Sequence, residues 1–463
     1  MSELGNHDGR SAAGSEEIIV RLYVKHRQGA FPVNVLRGEK MHIFQKEVTT
    51  GDLISVYGTV GYMDYNVRRR IKMSEAIDGD LLRKAVRITA ERYPYLCVQL
   101  CLGSEGFYYD PNPSPIAVIN TSEKIRLNSE ETNYHVWAIC YEDNFLFIDV
   151  FHGLCDGIGL SALTATLLYY YLEERYGGIN KDGIYMLDTP IDPREYEDPM
   201  DALPDVALPE SSSASTPVHD LINDAGMTPC ETIVDDIMIR ESEFLPFTSM
   251  NDSSPGTMVA LLLARAIDEC DPDREHEILG HYAMNARPVL KAPYGHHNCL
   301  STINLTYTDR LRKMSFSEQC TAYRGMTFLQ SDADRVRPGM ETIATLSRNL
   351  AKIPDVSARR EAFHQIIQAS CTAYTYVVSY TGQWKLPSME PYIREFWTHA
   401  PGALPLIVEI KSINGILFLS VQRNFRENRY IKAFLRQLKA NGISYMTLKT
   451  MPNDISEFPM PVE

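Results

Sequence analysis

Apolar residues recur at two periods along this chain, and the two periods predict a mixture of helices and strands. The clearest early helix covers 81–96, LLRKAVRITAERYPYL, where Leu82, Val86 and Thr89 fall on one face. Acidic residues just before this run are typical of a helix start, and Pro94 marks its end. We therefore expect an amphipathic helix over this stretch.

Two apolar runs after this helix predict strands. The first, HVWAICY, covers 135–141, and the second, NFLFIDVF, covers 144–151. Because the second run is almost entirely apolar, we expect a strand that is covered on both faces. A long helix is predicted after it, since apolar positions continue at helical spacing up to the pair Gly177-Gly178. The stripe of that helix consists of Leu160, Leu163, Thr164, Leu167, Leu168 and Tyr171.

The segment 186–222 breaks these patterns, because it is rich in proline, acidic residues and serine and has no sustained period. We interpret it as a linker between two lobes, with an extended packed arm as the alternative for part of it. Beyond it, the patterns predict helices at 257–270, 340–351 and 428–439 and strands at 278–284, 302–308, 374–380, 406–410 and 416–421.

These patterns divide the chain into four parts. The first is a disordered N-terminus at 1–16, followed by a first lobe at 17–185, the linker at 186–222 and a second lobe at 223–463. Both lobes mix strands with amphipathic helices, and the predicted fold class is therefore α/β.

Composition and charge remove several classes of function. With 463 residues and 44% hydrophobic content, the chain can bury one large core or two ordinary ones. The formal net charge of -15 argues against a sequence-independent nucleic-acid binder, which needs a basic face. The tight basic cluster Arg68-Arg69-Arg70, followed by Lys72, is interpreted as part of a solvated surface.

The 9 cysteines lack paired metal-ligand spacing, and an odd number of them without a secretory leader indicates reduced thiols. The polar start of the chain has no apolar signal-peptide region. No apolar stretch reaches the length that a bilayer requires. The sequence therefore predicts a cytoplasmic protein without a transmembrane segment.

The candidate catalytic residues lie in FHGLCDG, residues 151–157, between the predicted buried strand and the long helix. A histidine at a strand end can be held by the sheet while its imidazole faces a cleft. Its unperturbed pKa of about 6.5 lets it accept a proton near neutral pH, and His152 is therefore the predicted general base. Asp156 can orient the loop or pair with an arginine, and Gly157 supplies backbone freedom at the entry to the helix.

Two other groups of residues offer alternative chemistry. Cys155 lies beside the histidine and allows a Cys-His nucleophile. His296, His297 and Cys299 allow a metal site, but no second ligand pair follows at useful spacing. We interpret that segment as a polar loop and expect no metal.

The run FHGLCDGIGLSALTATLLYYYLEERYG resembles the HHxxxDG segment of the condensation-domain and CoA-dependent acyltransferase superfamily. That group includes chloramphenicol acetyltransferase, alcohol acetyltransferases, polyketide-associated acyltransferases and condensation domains of nonribosomal peptide synthesis. The base of the family motif corresponds to His152, and Phe151 replaces the first histidine, as in the shorter HxxxD form. Asp156 and Gly157 match the motif, in which the aspartate usually forms a structural salt bridge. The slot of Cys155 is variable in the family and often apolar.

Weaker similarities extend over most of the chain. IDGDLLRKAVRITAERYPYLCVQL is similar to an early helix of these enzymes, and ILFLSVQRNFRENRYIKAFLRQL to their closing strand and helix. NARPVL resembles the segment whose arginine pairs with the motif aspartate, which makes Arg287 the expected partner of Asp156. YVVSYTGQW lies where the family often has a Ser-Asn-x-Gly turn, with Tyr380 in place of the asparagine.

The resemblance implies two chloramphenicol-acetyltransferase-like lobes, each an α+β two-layer sandwich, in a V-shaped pseudo-dimer around a solvent channel. An acyl thioester enters from one face and the acceptor from the other, and His152 removes the acceptor proton during attack on the thioester. Backbone N–H groups near Gly157, or the hydroxyls of Ser379 and Thr381, are the candidates that stabilise the oxyanion. No bound cofactor is implied, because the thioester is a co-substrate.

Three functions stay open at this point. The first is a free-standing acyltransferase of secondary metabolism that uses acyl-CoA and a small-molecule hydroxyl or amine acceptor. The second is a condensation-type enzyme that takes its acyl group from an acyl carrier protein. The third is a catalytically silent binding or scaffold member of the fold. The lack of an attached carrier favours the first, and the presence of His152 and Asp156 argues against the third.

Overall fold

The computed structural model describes residues 20–22, 33–35, 46–58, 66–208, 217–400, 404–448 and 451–452, so the predicted disordered N-terminus lies outside the described residues. The strands, in chain order, are β1 (Val20–Leu22), β2 (Val33–Val35), β3 (Lys46–Glu47), β4 (Asn66–Met73), β5 (Val98–Gly103), β6 (Gly106–Pro111), β7 (Val118–Asn120), β8 (Trp137–Glu142), β9 (Phe145–Phe151), β10 (Pro229–Arg240), β11 (Ile278–Asn285), β12 (Leu300–Tyr307), β13 (Tyr376–Gln383), β14 (Ile393–His399), β15 (Leu406–Ile413), β16 (Ile416–Phe425), β17 (Tyr445–Thr447) and β18 (Met451–Pro452).

The α-helices are α1 (Leu53–Gly58), α2 (Gly79–Arg92), α3 (Gly159–Tyr176), α4 (Glu241–Met250), α5 (Pro255–Cys270), α6 (Arg287–Leu290), α7 (Asp309–Arg312), α8 (Phe316–Gln330), α9 (Ala333–Ala351), α10 (Val356–Thr372) and α11 (Arg429–Ala440). Short 3-10 helices cover Pro94–Leu96, Glu130–Thr132, Pro193–Glu195 and Glu390–Tyr392. Within the described ranges, no helix combines the length and the apolar character needed to cross a bilayer.

Two sheets organise the chain. The first has five strands in the order β14-β4-β9-β8-β7, with a parallel pair only between β7 and β8. The second has eight strands in the order β12-β11-β13-β15-β16-β10-β17, and β18 also pairs with β10. Its β11, β13 and β15 run parallel to one another. Two small sheets, β3-β6-β5 and β1-β2, complete the topology of the described residues.

Each large sheet has its own hydrophobic core. The first core collects buried side chains of α2 and α3 together with those of β8 and β9. The second collects those of α5, α8 and α11 with the strands of the eight-stranded sheet. Removing such apolar side chains from water is the main driving force for the fold. The resulting pair of helix-covered sheets agrees with the α/β class predicted from the sequence.

Strand β14 crosses from the second half of the chain into the first sheet. It pairs antiparallel with β4, so that Phe396 lies opposite Ile71 and Trp397 opposite Arg70. Both Phe396 and Trp397 belong to the first core. The edge of the first sheet is therefore supplied by residues that lie, in the chain, between β13 and β15 of the second sheet.

The basic cluster at 68–70 is buried inside the first sheet, and its interpretation as a solvated surface is wrong. All three arginines lie in β4, between β14 and β9, and each is at most 5% exposed. Arg68 donates hydrogen bonds of 2.7 and 2.8 Å to Asp149, and Arg70 donates one of 2.5 Å to Asp236. Buried charges of this kind persist because partners in the protein replace water.

The helices and strands that the apolar periods predict are present, with bounds that shift by a few residues. The helix predicted at 340–351 shows the largest difference, because α9 begins at Ala333. Pro338 and Gly339 are typical of a break, but the helix continues through them and Asp332 caps its start. Several elements were not predicted, among them the strands β4, β10 and β14 and the helices α8 and α10.

Residues 186–208, within the predicted linker, pack against both halves of the molecule. Glu195 forms a buried ion pair with Arg92 of α2. Arg348 of α9 donates hydrogen bonds of 3.1 Å to the carbonyls of Met200 and Leu203. Residues 209–216 lie outside the described part of the chain. The domain boundaries given above stay a prediction.

Gly325→Ala is expected to raise the free energy of unfolding by about 0.5–1 kcal/mol, because alanine is the better helix former. Gly325 lies inside α8, and a β-carbon added there meets no atom within 4 Å. Urea unfolding of both proteins measures the difference. Gly442→Ala is the control, since that position also has free space but a φ of 74°, and it should lose stability. A less stable Gly325→Ala protein would contradict the prediction.

Candidate functional site

The segment between β9 and α3 is held at both ends by regular structure. Strand β9 lies between β4 and β8, and the N–H of its last residue, Phe151, donates to the carbonyl of Val136 at 2.9 Å. His152 is therefore the first residue beyond a central strand, and the sheet fixes its backbone. The helix then begins at Gly159, only seven positions later in the chain.

Asp156 caps the start of α3. The residue at the N-cap position, Ile158, offers no capping side chain, but the Oδ1 atom of Asp156 accepts hydrogen bonds from the N–H groups of Ile158 and Gly159 at 3.0 and 2.9 Å. A carboxylate at this end of a helix also interacts favourably with the helix dipole. Asp156 therefore fixes the entry of the chain into the helix.

Arg287 and Asp156 form the ion pair that was expected from the resemblance to the family motif. Two guanidinium nitrogens of Arg287 donate hydrogen bonds of 2.8 Å to the two carboxylate oxygens of Asp156, and both residues are buried. The N–H of Cys299 adds a bond of 3.1 Å to the same carboxylate. With these donors and the two helix N–H groups, the carboxylate is fully engaged, which gives it a structural role.

His296 lies directly beneath the start of α3. Its carbonyl accepts from the N–H of Asp156 at 3.2 Å, its Nδ1 is 3.1 Å from the carbonyl of Gly159, and its Nε2 is 3.0 Å from the hydroxyl of Tyr95. Burial lowers the pKa of His296 to about 4, so its ring is neutral at physiological pH. A β-carbon on Gly159 would lie 2.3 Å from the His296 carbonyl oxygen, and glycine is therefore required for this contact.

The predicted polar loop around His296, His297 and Cys299 is buried, and protein groups occupy the imidazole nitrogens. His297 lies 3.2 Å from Asp52 through Nδ1 and 3.1 Å from the carbonyl of Tyr196 through Nε2. In the part of the chain that the structure describes, no three histidine, cysteine, aspartate or glutamate side chains are grouped so as to hold a metal ion.

His152 is partly exposed, and its Nδ1 atom is buried with no hydrogen-bond partner among the described residues. The neighbouring Cys155 is 3% exposed. Burial, together with the nearby carboxylate of Asp156, raises the pKa of the Cys155 thiol to about 12. The reactive thiolate is therefore scarce at neutral pH, which disfavours the Cys-His alternative.

Strand β13 of the second sheet lies against the motif glycine. A β-carbon on Gly157 would be 2.8 Å from the Cγ2 atom of Thr381. The hydroxyl of Thr381 already has a partner, because it donates to the carbonyl of Ile410 at 3.3 Å, and Ser379 is the register partner of Glu409 on β15. The structure thus brings Thr381 next to Gly157, with Ser379 two positions earlier on the same strand face.

Several solved structures have the same overall fold as this chain. Polyketide synthase associated protein 5 from Mycobacterium tuberculosis superposes with a TM-score of 0.57, at 15% identity, over 85% of this chain and 96% of that one. F. graminearum TRI101 complexed with coenzyme A and deoxynivalenol gives 0.56, at 12% identity, over 87% and 99%. The first condensation domain of the CDA synthetase gives 0.57, at 12% identity, over 86% and 96%.

The chain has the condensation-domain fold. The two-lobed architecture expected from the HxxxDG-like segment is thereby confirmed. By contrast, no protein-family model matches the chain, and the search of curated proteins finds no match either. At these identities, the likeness establishes the fold, and the chemistry must be argued from the site.

Arg69 is the residue of this condensation-domain fold that the sequence analysis missed. It is fully buried and donates hydrogen bonds to the carbonyl of Gly157 and to the hydroxyls of Ser161 and Thr164. Burial lowers its pKa to about 10, although the nearby Cys155 and Glu409 raise it. The sequence did contain a sign of this burial. Residues 67, 71 and 73 are apolar and alternate along one face of β4, and position 69 lies on that same face.

Proposed function

We propose that this protein is an acyltransferase that moves an acyl group from a thioester to a hydroxyl or amine of a small-molecule acceptor, with His152 as the general base. The observation that carries the proposal is the placement of His152 directly after a central strand, on a loop that the ion pair Asp156–Arg287 holds. A partly exposed imidazole on a backbone that the sheet holds in place can act as a general base, which supports the proposal.

The proposed reaction needs only one ring nitrogen. Because Nδ1 of His152 is enclosed, Nε2 takes the proton from the acceptor as its oxygen or nitrogen bonds to the thioester carbon. The carbonyl electrons move to oxygen and form a tetrahedral oxyanion, which the N–H of Gly157 or the hydroxyl of Ser379 stabilises. Collapse of this intermediate breaks the C–S bond, and the leaving thiolate takes the proton from His152.

Coenzyme A is the donor that we favour. The TRI101 structure with the same fold is described as a complex with coenzyme A, which supports an acyl-CoA as the co-substrate here. The likeness to the first condensation domain of the CDA synthetase supports the alternative, in which an acyl carrier protein delivers the acyl group. Both donors are thioesters, so the same proton transfer by His152 applies.

His152→Ala is expected to reduce thioester turnover by at least about a hundredfold, the lower end of what a general base contributes. The measurement is thiol release from a panel of acyl-CoAs with simple alcohols and amines, and then from acyl carrier protein loaded with the same acyl groups. Circular dichroism confirms that each variant is folded.

Cys155→Ala is the matched control beside the base. Its turnover should stay within a few-fold of the original protein, because a buried thiol of high pKa takes no part in the proposed reaction. Equal turnover of His152→Ala and the original protein would refute the general-base role. Absence of turnover with every donor would support the catalytically silent alternative.

A further inference from the structure

Lys411 is a buried lysine whose ammonium has few partners. It lies in β15, on the face of the second sheet opposite the second core, because its neighbour Ile410 packs into that core. Lys411 is 3% exposed. Within the described part of the chain it forms no ion pair, and its ammonium donates one hydrogen bond, of 3.5 Å, to the carbonyl of Thr381. An ammonium has three hydrogens to donate, so this buried charge is poorly satisfied.

An irregularity in β13 places this ammonium next to the motif loop. The pairing of β13 with β15 shifts by one residue, so Thr381 and Gly382 together lie opposite Lys411. Gly382 has a φ of 83° there, which glycine adopts without strain. Thr381 is partly exposed, and its Cγ2 atom would be 2.8 Å from a β-carbon on Gly157. One residue therefore separates the ammonium from the loop that carries the proposed base.

Two aromatic rings lie beside the ammonium. It is 5.8 Å from the ring centre of Trp384 and 5.7 Å from that of Phe396, and the two ring centres are 5.3 Å apart. The faces of such rings attract a cation, but they do not replace ordinary hydrogen-bond acceptors. Trp384 is 4% exposed, and its Nε1 atom is buried with no hydrogen-bond partner among the described residues.

Arg69 brings a second positive charge to the same rings. Its guanidinium carbon lies 5.5 Å from the centre of the Phe396 ring, and its Nε atom is buried with no partner in the described structure. Its other nitrogens donate to neutral groups, the carbonyl of Gly157 and two hydroxyls of α3. Burial and the charge of Arg69 lower the pKa of Lys411 to about 7, so a negative charge beside Lys411 would favour its protonated form.

Donors outnumber acceptors at this place. The ammonium of Lys411, the indole N–H of Trp384 and the Nε–H of Arg69 have a single acceptor among the described residues, the carbonyl of Thr381. Glu409 lies two positions before Lys411 on the same strand face, but no ion pair joins the two in the described ranges. Unpaired buried donors cost free energy, and the arrangement therefore indicates a ligand that accepts hydrogen bonds and carries negative charge.

A carboxylate has the chemistry that this place lacks. It carries one negative charge and two oxygens, and it accepts hydrogen bonds without donating any. With hydrogen bonds of about 2.8 Å to each oxygen, one carboxylate can bridge an ammonium and an indole N–H that are several ångströms apart. A phosphate has more oxygens and up to two charges, and most of its lone pairs would find no donor between two aromatic rings.

We propose that Lys411 and Trp384 bind a carboxylate of the substrate beside Gly157. This inference rests on the proposed function, and it names the substrate class of the same site. The carboxylate belongs either to the acceptor, which is then a hydroxy or amino acid, or to the acyl group of a dicarboxylic thioester. Arg69 adds a positive charge that attracts either of them into the site.

The first experiment compares acids with their amides as acceptors for the full-length protein. Lactate, L-phenylalanine and salicylate are each paired with the corresponding amide, and acetyl-CoA is the donor. If the acceptor carries the carboxylate, the protein should prefer at least one acid over its amide by about tenfold or more in kcat/KM. The reason is that hydrogen bonds to a charged group are lost in the amide.

The second experiment applies the same comparison to the donor. Succinyl-CoA and butyryl-CoA have acyl chains of equal length, and only the first ends in a carboxylate. With butanol and butylamine as acceptors, a preference of about tenfold or more for succinyl-CoA would assign the carboxylate to the acyl group. Absence of a carboxylate preference in both experiments would overturn the proposal.

Three variants connect the preference to the site. Lys411→Met removes the ammonium and nearly keeps the volume, so the ratio of kcat/KM between the acid and its neutral counterpart should fall about tenfold or more. Trp384→Phe keeps a ring but removes the N–H, and it should lower the same ratio by a smaller factor. Lys385→Met is the matched control, because Lys385 follows Trp384 in the chain but is exposed. Its ratio should equal that of the original protein.

Thermal unfolding confirms that each variant is folded. An equal ratio in Lys411→Met and the original protein would overturn the proposal. So would an equal loss of the ratio in Lys411→Met and Lys385→Met, because the general charge of the surface would then explain the preference.

A binding measurement separates this inference from the proposed function. Titration calorimetry uses lactate, L-phenylalanine, salicylate and succinyl-CoA, each without a reaction partner. At least one of them should bind to the original protein and to His152→Ala, and about tenfold or more weakly to Lys411→Met. That result in a protein without turnover would refute the acyltransferase proposal and support the carboxylate site. Turnover combined with equal binding to Lys411→Met, or with no binding of any probe, would refute the site and leave the acyltransferase proposal standing.

Discussion

Arg287→Ala is expected to lower the free energy of unfolding by about 3–5 kcal/mol, because it leaves the carboxylate of Asp156 buried without its counter-ion. The loss extends beyond one contact, since Arg287 also donates to the carbonyls of Gly295 and His297. Those bonds hold the loop beneath the start of α3. Urea unfolding followed by circular dichroism measures the change, provided that the transition is two-state.

Arg87→Ala is the matched control for this arginine deletion. Arg87 also forms an ion pair, with Glu91 at 2.7 Å, but both side chains are about half exposed or more. Water and salt screen such a pair, and its loss should cost about 0.5 kcal/mol. If Arg287→Ala were no more damaging than Arg87→Ala, the ion pair with Asp156 would not be the structural support described above.

Arg92→Ala is also expected to lower the free energy of unfolding by about 3–5 kcal/mol, because it leaves the carboxylate of Glu195 buried without its counter-ion. One guanidinium nitrogen of Arg92 contacts both carboxylate oxygens of Glu195, at 2.9 and 3.0 Å, and the two side chains are at most 1% exposed. Among the described residues, the hydroxyl of Tyr95 and the N–H of Asp192 would remain as donors to that carboxylate. Chemical unfolding measures the loss.

Adding Glu195→Gln to Arg92→Ala separates the buried charge from the lost packing. A neutral amide leaves no uncompensated charge, so the double variant should be more stable than Arg92→Ala alone. Arg83→Ala, on the exposed face of the same helix, should change stability by less than about 1 kcal/mol. A double variant less stable than Arg92→Ala would show that the charge is not the cause.

The sequence predicted those parts of the fold whose stabilising pattern is local. The stripe of α3 and the apolar run of β9 are periodic over a single element, and both elements are present. The pairing of Arg287 with Asp156 required the resemblance to a known motif, because the two residues are 131 positions apart. The catalytic role of His152 stays a prediction.

Non-local charge pairing explains what the sequence analysis missed. Three consecutive arginines in a short stretch are usually solvated. The opposed carboxylates Asp149 and Asp236 make the burial of Arg68 and Arg70 possible, and Arg69 is buried against a carbonyl and two hydroxyls. Nothing near position 69 in the chain indicates the hydrogen-bond partners of Arg69, because Gly157, Ser161 and Thr164 come about 90 residues later. The strand β14 was missed for a similar reason, since its partner β4 is more than 300 residues earlier.

Strand β14 comes from the second half of the chain but completes the first sheet, so a cut within the linker would damage both fragments. A fragment that ends within the linker would lack the edge of its own sheet and would expose the backbone groups of β4. The remaining fragment would carry Phe396 and Trp397 with no core to enter. The two halves are therefore not separable modules, because the first sheet and the first core need residues from the second half of the chain.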